Sequence, residues 1–160
     1  MSKDNISAEE LFEFLQEANR NSYASDAPKA PSTRPGSVDY HFEKRGLKYH
    51  DTYFGPRDFI GSEIVYKDNV PVWGMNYFGH ILYDDIREKV VYDFLRKALM
   101  QEVQSIIPVR GPEYFLDDKD KNWSYRFLVT GYLKSFIGEE VIIVDGVIIY
   151  RCVVHGGYIK

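Results

Sequence analysis

Apolar positions at Leu11, Phe14, Leu15 and Ala18 recur at the three-and-four spacing of one helix face. Ahead of them, Ser7 and Glu10 form a capping box, and Ile6 is placed to staple onto Leu11. The pattern predicts a first helix that fades near Asn21, where polar residues take over. Residues 25–37, "SDAPKAPSTRPGS", carry three prolines and few apolar side chains, which predicts a loop inside the domain. From Val38 the period changes to two: "GLKYHDTYF", "DFIGSEIVYK" and "VPVWGMNYF" read as strands, with Asp68-Asn69 as a two-residue hairpin turn. A second helix is predicted over residues 84–104, with Ile86, Val90, Val91, Phe94, Leu95, Ala98 and Val103 as its apolar stripe. After Pro108 and Arg110-Gly111-Pro112, three more strands follow in "WSYRFLVTGYLK", "SFIGEEVIIV" and "VIIYRCVVH", the last two joined by Asp145-Gly146.

Two of these hairpins are nearly the same text. "FIGSEIVYKDNVPVWGMNYFGH" (59–80) and "FIGEEVIIVDGVIIYRCVVHGG" (136–157) align without a gap and share seven of twenty-two positions. A helix precedes each set of three strands. The expectation is therefore a single domain over residues 1–160 built from a duplicated α-β-β-β unit, with half-repeats at about 7–80 and 84–157. That is an α+β fold: two antiparallel meanders forming one curved sheet, with both helices on one face.

Register arithmetic from the turns sorts the side chains. Uninterrupted pairing sets Lys67 opposite Val70, Glu63 opposite Gly74 and Gly61 opposite Asn76, with Asp51 opposite Gly61 and Tyr49 opposite Glu63. Tyr49, Asp51, Tyr53, Gly61, Glu63, Gly74 and Asn76 then share a face. Ile60, Ile64, Tyr66, Trp73, Met75 and Tyr77 share the other, which the helices are expected to cover. The polar face sets acids, an amide and tyrosines around two glycines, whose missing side chains leave a hollow. Polar groups that converge on a hollow with aromatic walls suit a small molecule, so Tyr49, Asp51, Tyr53, Glu63 and Asn76 are the expected ligand-binding residues. The competing reading is an ordinary solvated face. In the second hairpin the same arithmetic pairs Glu140 with Arg151, whereas Glu63 has no cation opposite. Of the two glutamates, Glu63 is thus the functional candidate.

Composition narrows the function classes. With 20 basic and 24 acidic residues the net charge is −4, without the basic face that phosphate-backbone binding needs, so no direct nucleic-acid partner is expected. The single cysteine, Cys152, excludes a disulfide framework and a zinc ribbon, and reads as a buried thiol on an apolar strand. The N-terminus lacks the apolar core of a signal peptide and no apolar run is long enough to span a bilayer; a cytoplasmic protein without a membrane partner is expected. His41, His50, His80 and His155 show no ligand spacing such as HxxxH, and no metal site is expected. No phosphate-binding, dinucleotide-binding or nucleophile motif is present, so no cofactor and no catalytic residue is assigned. Arg34, Arg57 and Arg110 lie in Pro/Gly loops, where arginine either holds an anion or is solvated.

The segments "RPGSVDY", "YHDTYFG", "FIGSEIVYKDNVPVWGMNYFG", "VRGPEYF" and "FIGEEVIIVDGVIIYRCVVHGG" resemble an uncharacterised bacterial and phage domain family, known only as a domain of unknown function. The resemblance covers nearly the whole chain. In some relatives the domain follows an Xre/Cro-type helix-turn-helix, which implies a regulator module; the single helix ahead of the strands here is too little for a helix-turn-helix. By looser architectural analogy, duplicated α+β effector domains of the GyrI-like kind bind small organic ligands between their halves. The expected function is a small-molecule-binding module of sensor or effector type, with a homodimer compatible with it. The alternatives are a hydrolase- or isomerase-like enzyme using Asp51 and Glu63 as an acid/base pair, and a phage or bacterial protein-interaction module.

Overall fold

The computed structural model describes residues 6–160. Helix α1 (Ala8–Arg20) starts as its cap dictates: Ser7 accepts from the backbone N–H of Glu10 at 3.1 Å, and Leu11, Phe14, Leu15 and Ala18 are buried. A single 3₁₀ turn, Tyr23–Ser25, follows. Four strands come next: β1 (Val38–Lys44), β2 (Leu47–Phe54), β3 (Phe59–Lys67) and β4 (Val70–Ile81). Helix α2 (Glu88–Leu99) leads into β5 (Tyr114–Leu116), β6 (Trp123–Tyr132), β7 (Ser135–Val144) and β8 (Val147–Tyr158). All eight pair antiparallel in one open sheet of order β1-β2-β3-β4-β8-β7-β6-β5. The fold is α+β. Each meander has one more strand than the three expected, β1 and β5 on the two outer edges, and the meanders meet along β4–β8.

Helix α2 is shorter at both ends than its apolar stripe suggests. Arg57 takes the carbonyls of Tyr83 and Ile86, acceptors that an earlier helical turn would use. Past Met100, side chains of α1 tie down an irregular segment: Gln16 donates to the Val103 carbonyl and Asn19 to that of Pro108. Val90, expected in the core, is exposed, and Tyr92 is buried instead.

The helix stripes and one sheet face form a continuous core. Trp73 stacks on Phe136 across the seam between the meanders, and its indole N–H donates to the Leu133 carbonyl at 3.0 Å. Cys152 is buried there, and burial pushes its thiol up to about 12, so it is inert. No helix among the described residues is long and apolar enough to cross a membrane.

The two central hairpins agree residue for residue. Lys67 faces Val70 and Val144 faces Val147, as their turns require. Each ladder then slips by one at a β-bulge, between Val65 and Tyr66 in the first hairpin and between Ile142 and Ile143 in the second. Val72 and Ile149 are the extra residues. Pro71 cannot donate to the ladder, but Ile148 holds its place in the second hairpin, so proline is not what the bulge requires.

That slip corrects the expected faces. Beyond the bulge Glu63 pairs with Met75 and Gly61 with Tyr77, not with Gly74 and Asn76. Because side chains alternate, a one-residue slip moves all of β4 beyond it to the other side. Trp73, Met75 and Tyr77 therefore join Tyr49, Asp51 and Glu63 on the helix-covered face, while Asn76 is exposed on the open one. Ile60, expected under the helices, is 58% exposed on that open face.

Candidate functional site

Four of the five expected site residues come together. Tyr49, Asp51, Tyr53 and Glu63 line a cavity of about 130 Å³ between the first meander and the helices. Asn76 is on the far side of the sheet and belongs to no such site. The expected glycine hollow is also absent. The Tyr77 ring lies across Gly61, where an added Cβ would come within 2.5 Å of its hydroxyl, and Gly74 faces the open side against Ile64. The cavity instead lies above the strands, roofed by Asn19 and Ser22 at the end of α1, Tyr23 and Ala24 of the 3₁₀ turn, and Tyr92, Leu95 and Arg96 of α2.

Strand β2 pairs with β3 two residues away from the expected register, because the turn closes at Phe54–Ile60. A two-residue shift keeps the face and changes the partner. Asp51 now stands directly opposite Glu63, with Tyr53 opposite Gly61 and Tyr49 opposite Val65. Both carboxyl groups are buried, each 4% exposed. Asp51 accepts from the Tyr77 hydroxyl at 2.5 Å. Glu63 Oε2 is buried and no donor among the described residues reaches it. Burial raises the pKa of both acids; Asp51's charge raises Glu63 further, and the Tyr77 hydrogen bond restrains Asp51. With both acids raised by burial, the pair keeps a proton at a pH where exposed carboxyls have lost theirs.

The matched glutamate of the second meander is fully enclosed. Glu140 takes two hydrogen bonds from the Arg110 guanidinium, at 2.9 and 2.7 Å. Tyr125 donates to it at 2.7 Å and Tyr150 at 2.9 Å. Its partner is therefore Arg110, not Arg151. The bulge sets Glu140 opposite Cys152, and Arg151 lies 3.5 Å from Glu139. Arg110 also lines the cavity, with its charge already matched by Glu140.

Sequence reasoning missed Tyr23, Tyr77, Tyr92, Arg96 and Arg110 as cavity residues. Arg96 stacks over the Tyr23 ring at 4.7 Å, and its Nε has no acceptor among the described residues. Only the bulge brings in Tyr77, and only the packing of α2, the 3₁₀ turn and the loop before β5 brings in the others; a strand pattern contains neither. On the opposite face, Asp39, His41 and His50 have potential ligand atoms within 4.8 Å of one another. Cross-strand pairing of His41 with His50, not HxxxH spacing, makes this group. The Asp39 carboxylate is already occupied by Thr33, Ser37, His50 and Thr52, so the cluster ties the proline-rich loop to β2.

Comparison with curated proteins and with solved structures gives no match. The family described as "Domain of unknown function (DUF5680)" matches residues 51–159, from the strand that carries Asp51 to the end of the sheet, and the chain belongs to that family.

Proposed function

We propose that the chain is a small-molecule-binding domain of sensor or effector type, with its site in the cavity beneath the 3₁₀ turn and α2. One observation carries the reading. Glu63 is withdrawn from water with an oxygen that no donor reaches, beside an open volume, while the matched Glu140 is given every partner it needs. A buried carboxylate with an unpartnered oxygen and no counter-charge is costly or takes up a proton. A ligand donor supplies what the chain omits. The volume of about 130 Å³ is close to that of a cavity which holds benzene, so the enclosed part of the ligand is about one ring in size.

The test is a thermal-shift screen of one-ring compounds against the wild-type chain and Ala24→Phe, which fills the cavity from the 3₁₀ turn. Stabilisation of the wild type by some compounds, lost in the variant, is the expected outcome. A wild-type melt that none of them moves would sink the proposal.

A second reading rests on the direct opposition of Asp51 and Glu63. Two neighbouring buried carboxyls with raised pKa values are suited to general acid/base chemistry on a bound substrate. Turnover of a bound compound, lost in Asp51→Asn, would favour it over simple binding.

We also infer an internal duplication, supported by the common turn, bulge and glutamate register of the two hairpins. Family members should then show similarity between their halves at an offset of about 77 residues. Its absence across the family would leave convergent hairpin design as the explanation.

A further inference from the structure

Resting on that reading of the cavity, we infer that its ligand is a small organic cation, an amine on about one ring, whose protonated nitrogen closes onto Glu63 and Asp51. The argument is an inventory of what the walls lack. Donors near the two acids are already engaged: the Tyr49 hydroxyl toward Glu63, the Tyr77 hydroxyl on Asp51, the Arg110 guanidinium on Glu140 and the Asn19 amide on the Pro108 carbonyl. Acceptors are left over, since Glu63 Oε2 has no partner. Asp51 and Glu63 are direct cross-strand neighbours, a spacing of about 5 Å between Cβ atoms, so one ammonium with several N–H groups reaches both.

The remaining walls favour the same chemistry. Tyr23, Tyr53, Phe59 and Tyr92 present aromatic rings to the cavity, and a cation gains from ring faces that a neutral donor does not. A neutral donor satisfies one oxygen and leaves the charge of the pair in place. An anion brings further negative charge to a site with two carboxyls. The feature that speaks for an anion is Arg96 at the cavity wall, over Tyr23 and 3.7 Å from Asp93. The Arg96 Nε is a buried donor without an acceptor among the described residues, but the guanidinium is partly exposed and lies against Asp93, whereas the two acids are buried.

The pH dependence of binding has a definite sign. The groups that face Glu63 are Tyr49 and Asp51 on β2, Tyr77 on β4, Arg110 before β5 and Glu140 on β7, with Arg96 above on α2. Arg110 and Glu140 cancel each other, and the tyrosines remain neutral because burial raises them. The Asp51–Glu63 pair is thus the part that changes charge between pH 6 and pH 8.5. Losing the proton that the pair keeps at pH 6 strengthens the hold on a cation and weakens the hold on an anion.

Calorimetric titration of the full chain with benzylamine, benzyl alcohol and benzoate at both pH values tests this. Benzylamine should bind at least about tenfold tighter than benzyl alcohol at pH 8.5, the loss expected for a charge-assisted hydrogen bond. That preference should shrink at pH 6, and Glu63→Gln should erase it. Benzoate should be the weakest of the three. If benzyl alcohol or benzoate matches benzylamine in the wild type at pH 8.5, the cation inference falls while the cavity remains a binding site. If none of the three binds and Ala24→Phe behaves as wild type, the cavity itself is no binding site and both readings fall. The wild-type pH comparison decides the matter even if the variant proves unstable.

Discussion

The two meanders bury a glutamate at the same register position and treat it in opposite ways. Around Glu140, Tyr125 and Tyr150 donate hydroxyls, Arg110 supplies a bidentate cation, and Phe127 stands opposite on β6. Around Glu63, the place of Tyr125 is taken by Tyr49, that of Tyr150 by Trp73, and that of Phe127 by Asp51. Trp73 turns its N–H away to the Leu133 carbonyl, and Asp51 adds a second acid where the other half has a ring. One backbone arrangement thus gives a closed ion-pair network in one half and an acid pair beside a cavity in the other. The difference lies in two side chains, Trp73 for Tyr150 and Asp51 for Phe127, and one loop arginine, since the tyrosine is kept at Tyr49. A buried charge is kept in a protein either by complete pairing or for some use that pairing would prevent.

Disrupting the closed half should have the largest effect. Glu140→Gln leaves Arg110 as a buried cation without its counter-charge, and should cost about 3–5 kcal/mol in chemical denaturation. A loss under about 1 kcal/mol would mean that the network is no more structural than Glu63 is. Trp73→Ala should cost a similar amount, about 3–5 kcal/mol, because the indole is fully buried at the seam between the halves. Its effect should appear as one cooperative transition. Two separate transitions would show that the halves do not share a core.

A smaller loss is expected from Tyr77→Phe, which removes the one hydroxyl bonded to Asp51 and should cost about 1–3 kcal/mol. The same change should raise the pKa of Asp51, as followed by NMR titration of its side chain. An unmoved Asp51 would show that the hydrogen bond contributes little to the acid pair.

How much of this was legible depended on whether the signal was local. The cap at Ser7, the stripe of α1, both hairpin turns and the matched hairpin texts are short-range patterns, and each led to the correct element. The grouping of Tyr49, Asp51 and Tyr53 with Gly61 and Glu63 on one face was also legible, because the error in register was an even number, but that the helices cover this face was not. The bulge at Val72 was not. It carries no proline or glycine rule that the second hairpin shares, and one slipped residue set Trp73, Met75 and Tyr77, under the helices as expected, on the same face as Tyr49, Asp51 and Glu63 and removed Asn76 from the site. Glu140's true partner was hidden for another reason. Arg110 arrives from a loop thirty residues away, through packing that no strand alternation encodes.

The smallest effect at neutral pH, and the sharpest test of the comparison, belongs to Glu63→Gln. In the folded chain burial raises Glu63 from 4.5 to about 8 and Asp51 from 3.8 to about 6. The folded state therefore binds more protons than the unfolded chain across that interval, and wild-type stability should fall as pH rises from about 4 to about 8. Glutamine fits the same space and does not titrate, so the variant loses Glu63's share of that slope. The change in stability should be near zero at pH 5, where the folded carboxyl is protonated anyway. It should become a gain of about 1–2 kcal/mol above pH 8, part of the full shift because Asp51 ionises more easily once Glu63 is gone. Glu140→Gln should be destabilising at every pH in this range, since Glu140 is held in an ion pair. Urea unfolding at pH 5, 7 and 8.5 on both variants separates the cases. Parallel pH profiles for the two would mean that Glu63 is compensated in the folded state after all, and the contrast between the halves would lose its basis.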